Sequence, residues 1–261
     1  LKPASATPLS ALALAELADR AKIPPGVFNV IPGLASEVGD ELVTNPEVRK
    51  VTFTGSTEVG SELMAKAAGT IKKVSLELGG NAPLLIFNDA DLPSAVEGAV
   101  ASKFRNMGQT CVCTNRIYAQ SGIYEEFVAA FGEAVSQLTV GDGNNEDVQQ
   151  GPLIDEDAVC KTEEHLHDAI ALGAKIVVGG SRHELGGTFF EPTVISGALH
   201  EMKVAHEETF GPLAPVFRFE TEAEAIRLAN QTEFGLASYF FTQNNARIWR
   251  VSESLQYGIV A

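Results

Sequence analysis

Strand-like and helical segments alternate through the first third of this chain, and that alternation limits the fold more than any other feature. KVTFT runs into the helical STEVGSELMAKAA, and KKVSLEL follows. Strands separated by helices of about 10 to 15 residues are joined in parallel, because a parallel pair needs a long crossover. The spacing predicts an α/β fold on a doubly wound parallel sheet. Upstream, TPLSALALAELADRA reads as a helix with Thr7 as N-cap and Pro8 at the first helical position. The breaker PPG, a strand-like VFNVI, a turn at Gly33 and a second helix over about 36–43 come next.

GGNAP, two glycines with a proline close behind, is the best domain boundary. It divides the chain into an expected 1–79 and an expected 80–261. The alternation then resumes, with PLLIF, DLPSAVEGAVASKFR, NRIYAQ and IYEEFVAAFGEAVSQL. A loop with GDG and QQGPLI leads to a helix over about 155–172 and the strand AKIVVGG. APVFRF, EAEAIRLAN, ASYFFT and ARIWRVSESL follow. No internal repeat interrupts this, so two α/β units in tandem are expected. Both ends read as cut: the chain opens on Leu1 without an initiator Met and stops on the apolar run YGIVA.

Charge excludes some partners. The 261 residues carry 34 acidic against 19 basic side chains, a net charge of -15, which repels phosphate backbones and argues against nucleic acid. No apolar run approaches the roughly 20 residues of a membrane span, and no leader pattern is visible. Three cysteines make no disulfide framework, and a reducing cytoplasm fits them best.

Two of those cysteines, Cys111 and Cys113, stand one residue apart in NMGQTCVCTN. Cys-x-Cys supplies only two of about four ligands for a structural metal, and the five histidines show no metalloprotease spacing. His165 and His167 lie on a charged helical stretch and read as solvated. A reactive thiol needs a base within reach or a lowered pKa, plus donors for the oxyanion. GQTC could offer backbone N–H groups. Glu77, between Leu76 and Leu78, could be a base at the end of a buried strand, where desolvation would favour its protonated form. It could equally point to solvent from an alternating strand. In FTGSTEVG a strand meets a helix at Gly55 and Ser56, a place where backbone can approach a phosphate or simply turn. LKPAS could bind a ribose or phosphate through Lys2, or be surface. HEETFGP sets Glu207 and Glu208 beside Phe210 and a Gly-Pro turn, or is only a loop.

Taken in order, KPAS, FTGSTEVG, LELGGNAP, GQTCVC, QGPLI and EETFGP resemble the aldehyde dehydrogenases over the whole chain. KKVSLELGGNAP, SKFRNMGQTCVCTNR and KVAHEETFGPLAPVFRF are most similar to the succinate-semialdehyde branch. The resemblance implies a partial Rossmann-like coenzyme domain over 1–79 and an α/β catalytic domain over 80–261. It implies Cys111 as nucleophile and Glu77 as general base, with no metal. Lys2, Pro3, Ala4 and Ser5 match the adenosine-ribose contacts, and Gly55 with Ser56 the turn near the pyrophosphate. Leu78 falls near the nicotinamide, Glu208 on its ribose, and Phe210 beside it. Arg105 matches an arginine that grips a distal substrate carboxylate. Where NAD-preferring members commonly carry an acidic residue this chain has Ser5, so NADP is expected, with NAD as the weaker alternative. A homo-oligomer, dimer or tetramer, acting on a small semialdehyde in the cytoplasm is implied, with Cys113 as a redox partner for Cys111 or a small buried residue.

An oxyanion-stabilising Asn and a serine that helps hold the substrate carboxylate, both family features, would lie before Leu1 and after Ala261. The chain by itself is therefore expected to be inactive. Glutarate semialdehyde, one methylene longer, is an alternative substrate, since such a difference is worth only about 1–3 kcal/mol in a pocket. The rival classes are a redox-sensing or binding module that kept the thiol without needing the base, and a structural protein of the same fold.

Overall fold

The computed structural model describes residues 1–261, which divide into two compact units, Leu1–Gly79 and Gly80–Ala261. In the first, α1 (Leu9–Arg20) and α2 (Ala35–Thr44) precede a β-α-β crossover of β1 (Lys50–Thr54), α3 (Thr57–Ala68) and β2 (Lys73–Glu77). β1 and β2 pair in parallel, with Thr54 opposite Glu77. Ser56 caps α3 by accepting from the Val59 N–H, which satisfies one of the orphan donors of the first turn. Two expectations fail here. Pro8, not Thr7, occupies the N-cap of α1, and no side chain caps that helix. VFNVI forms no strand; Ile31 donates to the Leu1 carbonyl instead.

The second unit is a seven-stranded sheet between two layers of helices. Its strands are β3 (Ala82–Ile86), β4 (Thr114–Gln120), β5 (Lys175–Val178), β6 (Thr193–Ala198), β7 (Leu213–Phe219), β8 (Ala237–Phe241) and β9 (Ile259–Val260), in the order β5-β6-β7-β4-β3-β8-β9. All pairs are parallel except β5 with β6, which are antiparallel. That edge departs from the expected all-parallel sheet because a loop, with no crossover helix, joins the two strands. The helices are α4 (Leu92–Phe104), α5 (Tyr124–Ser136), α6 (Glu156–Ala171), the short α7 (Lys203–His206), α8 (Glu222–Asn230) and α9 (Asn245–Ser254). β3 is buried along its length, as an apolar run covered on both faces must be. Leu84 and Ile86 join the core with α4 and α5, while Leu85 joins the one with α6, α8 and α9. This is the period of two expressed as two cores.

Candidate active site

In the first unit Gly55, Ser56, Glu77 and Leu78 gather at the carboxyl edge of the small sheet. Gly55 follows β1 and donates its N–H to the Glu77 carbonyl at 3.0 Å. A Cβ on Gly55 would collide with the Phe53 ring, and one on Gly60 with Leu78, so both glycines are there for close packing. Ser56 opens α3 beside them. Glu77 ends β2 exposed, so of the two settings open to its carboxyl the solvent-facing one describes it. Lys2 folds its ammonium onto the Pro3 carbonyl at 2.6 Å; Pro3 is buried, and Ala4 and Ser5 are exposed.

In the second unit the candidates lie at the amino edge of the sheet, just before β3, β4 and β7. α4 ends at Phe104, and the chain then reverses through three left-handed residues, Asn106 (φ 48), Met107 (φ 55) and Gly108 (φ 75). Two consecutive non-glycine residues in that region store strain that the surroundings must hold. Several contacts do so: the Asn106 amide donates to the Gln109 carbonyl, the Gln109 side chain accepts from Ile154 N–H, and Gly108 lies against the Gly211 carbonyl. The turn that follows is closed by Cys113 N–H donating to Thr110 O at 2.9 Å, with Cys111 and Val112 at its centre. Tyr239 anchors it through a 2.8 Å bond to the Val112 carbonyl. Cys111 is half-buried and its thiol is free.

Cys113 is buried, and its thiol donates to the Arg105 carbonyl at 3.4 Å; burial pushes that thiol up. Arg105 itself is exposed and takes part in none of the chain's ion pairs, so the structural ion pair that would otherwise explain it is absent. It lines a cavity of about 440 Å³ with Ser102, Val112, Cys113 and Tyr239.

Glu208 reaches the same edge. Its Oε1 accepts the Gly80 N–H at 2.9 Å, and a Cβ on Gly80 would collide with the Cys111 carbonyl oxygen. One residue therefore separates the carboxylate from the thiol's backbone. Burial raises the Glu208 pKa, with the Gly80 bond and the Lys161 and Lys103 charges opposing it. Phe210, φ 52 and 38% exposed, stands two residues on. The structure thus brings Arg105, Cys111, Cys113, Glu208 and Phe210 to one edge of one sheet.

Four residues missed by sequence reasoning are buried near this edge. Asn81 and Asn115 are buried and bonded to each other at 2.7 Å; they also bind the carbonyls of Ala205 and Glu207. Lys103 is 1% exposed, and burial draws its ammonium down to about 8. His165, read as solvated, is also 1% exposed and bonded on both nitrogens. Thr162, His165 and Asp168 recur at a spacing of three on α6, a polar stripe that was visible without any structure.

The chain belongs to the aldehyde dehydrogenase family, whose profile it matches over residues 1–261. It is 62% identical over 260 residues to the glutarate-semialdehyde dehydrogenase of Pseudomonas aeruginosa, matching along all of this chain and 54% of that protein. It is 61% identical to succinate-semialdehyde dehydrogenase [NADP(+)] GabD of Escherichia coli, again over all of this chain and 54% of the other. Among solved structures it superimposes on an NADP-dependent enzyme of E. coli with a TM-score of 0.99 and 60% identity, covering 100% of this chain and 54% of that one. The chain spans about half the length of the relatives it matches.

Proposed function

We propose that the complete protein oxidises a small aldehyde with a distal carboxylate, succinate semialdehyde foremost, to the corresponding acid with NADP⁺. The observation that carries this reading is an unpaired guanidinium, Arg105, at the start of the same reversal that presents the Cys111 thiol. These 261 residues carry a net charge of -15, which repels an anionic substrate, so a local cation is needed to hold it. Glutarate semialdehyde is the second reading, favoured by the name of the relative at 62% identity.

The residues fit the cofactor in kind. Glu208 has one oxygen held by Gly80 and the other left to accept from the nicotinamide ribose. The first turn of α3, behind Gly55 and Ser56, offers N–H groups to the pyrophosphate. Lys2, Pro3, Ala4 and Ser5 serve the adenosine ribose, where a hydroxyl and an ammonium suit a 2′-phosphate better than a carboxylate would; NAD⁺ is the weaker alternative. Leu78 would meet the nicotinamide, and Phe210 would pack beside Glu208. Bound NADP⁺ supplies the hydride acceptor.

The Cys111 thiolate attacks the aldehyde carbon, and the thiohemiacetal oxygen takes the charge within reach of turn N–H groups. Loss of hydride leaves a thioester on Cys111. Glu77 takes a proton from water, the water oxygen adds to the thioester carbon, and the acid leaves as the thiol is restored. Arg105 holds the far carboxylate throughout. The active protein is a homo-oligomer of the cytoplasm. In the complete protein, Cys111→Ala should abolish NADP⁺ reduction by succinate semialdehyde while NADP⁺ still binds. Turnover surviving in that variant would overturn the reading.

A further inference from the structure

The segment before β7 is clamped from three sides. Asn115 binds the Glu207 carbonyl at 3.0 Å, Gly80 binds Glu208, and Gly211 is packed so closely on Thr162 that a Cβ would collide with its hydroxyl. Backbone bonds add to this, from Thr209 N–H to the Asn115 side-chain oxygen at 3.4 Å and from Glu207 N–H to the Lys203 carbonyl at 2.9 Å, and the side chains of Glu207 and Thr209 are held by His165. Its Nδ1 lies 3.0 Å from the Thr209 hydroxyl and its Nε2 3.2 Å from a Glu207 carboxylate oxygen. The imidazole therefore grips the residues immediately before and after Glu208.

The chain is extended at Glu207 (φ -106, ψ 140), so successive side chains alternate sides. Glu207 and Thr209 face α6, and Glu208 faces Gly80. A carboxylate only accepts, so the proton sits on Nε2 and Nδ1 accepts from Thr209. Both nitrogens are then satisfied by a neutral ring, and burial, the strongest influence on this histidine, favours that form. Phe210, left-handed at φ 52, follows immediately, and a strained residue of this kind persists only where neighbours hold it.

We propose that His165 is a positioning residue for Glu208, straddling it so that its carboxylate stays aimed at the cofactor. This rests on the reading of Glu208 as the carboxylate of the nicotinamide ribose. Without the imidazole, Thr209 and Glu207 lose their partner on α6, and the segment can relieve Phe210 by turning Glu208 away from Gly80.

The test uses the complete protein and NADP⁺ titrated by calorimetry, with kcat and the aldehyde KM measured at saturating NADP⁺. His165→Ala should weaken NADP⁺ binding roughly tenfold, the scale of one net hydrogen bond, and leave the aldehyde KM unchanged. His165→Asn and His165→Gln, which keep one partner each, should recover part of the loss. Joining His165→Ala to Glu208→Gln should add nothing to the effect of Glu208→Gln alone, because the two act through one group. Unchanged NADP⁺ affinity in His165→Ala, or additive effects in the double variant, would overturn the inference while Glu208→Gln still weakens binding. An inert Glu208→Gln would instead overturn the reading of Glu208 itself. If His165→Ala does not fold, Thr209→Val removes the Nδ1 partner and is read in the same way.

Discussion

Lys103 is the least expected residue in the chain. It sits at the end of α4 with its ammonium inside the protein, where burial opposes its charge and the Glu208 carboxylate favours it. Burial brings its pKa to about 8 from an ordinary 10.5. Between those values the unfolded chain binds more protons than the folded one, so the charged form weakens the fold and does so fully below pH 8. Lys103→Met keeps the stem and removes the charge. It should raise stability near neutral pH by up to about 3 kcal/mol, at about 1.4 kcal/mol per pKa unit, with the gain fading as pH rises from 8 to 10.5. Denaturant melts at both ends of that window check the sign; a loss near neutrality would show that the ammonium has a stabilising partner. Cys113 poses the other question at this scale. As a redox partner it should let dithiothreitol restore the protein after mild peroxide, and Cys113→Ala should lose that recovery by irreversible oxidation of Cys111. Equal recovery in the variant assigns Cys113 to packing.

Among elements, the reversal between α4 and β4 carries the site, and Gly108 is its tightest point. At φ 75 and against the Gly211 carbonyl, it has no room for a side chain. Gly108→Ala should cost at least about 2 kcal/mol, from left-handed strain and displaced backbone. Gly143→Ala, where nothing lies within 4 Å of the added carbon, should stay within about 0.5 kcal/mol in the same thermal melts. Equal losses would mean that the reversal is not under strain. The helices were legible because their apolar spacing is local: α3 and α6 fall within a residue or two of the sequence expectation. β6 was not, since its Ser196-Gly197 reads as a turn; in the fold it is a bulge with Gly197 at φ 69. VFNVI was misread for the opposite reason, as an apolar run cannot say whether a partner strand exists. The burial of His165 depends on Glu207 and Thr209, more than 40 residues further along the chain. No local pattern encodes such a contact, although the polar stripe on α6 hinted at it.

For the molecule as a whole, ligand sites of open α/β sheets are expected at the carboxyl ends of strands. The first unit has its candidates Gly55, Ser56 and Glu77 at that edge, whereas the second gathers Gly80 and the candidates Cys111 and Glu208 at the amino edge. Motif order made these residues legible as candidates, and only the fold reveals which edge each group shares. Their chemistry must also work against a field of net charge -15. The central claim is that Arg105 supplies the local cation, and the most direct measurement is a ratio. In the complete protein, kcat/KM for succinate semialdehyde is divided by kcat/KM for butanal, a neutral aldehyde of equal length. Arg105→Ala should collapse that ratio by about 10- to 100-fold, as loss of a charged hydrogen-bonding partner would, mainly through KM for the semialdehyde. A ratio left unchanged, with both aldehydes affected alike, would contradict a carboxylate-binding Arg105.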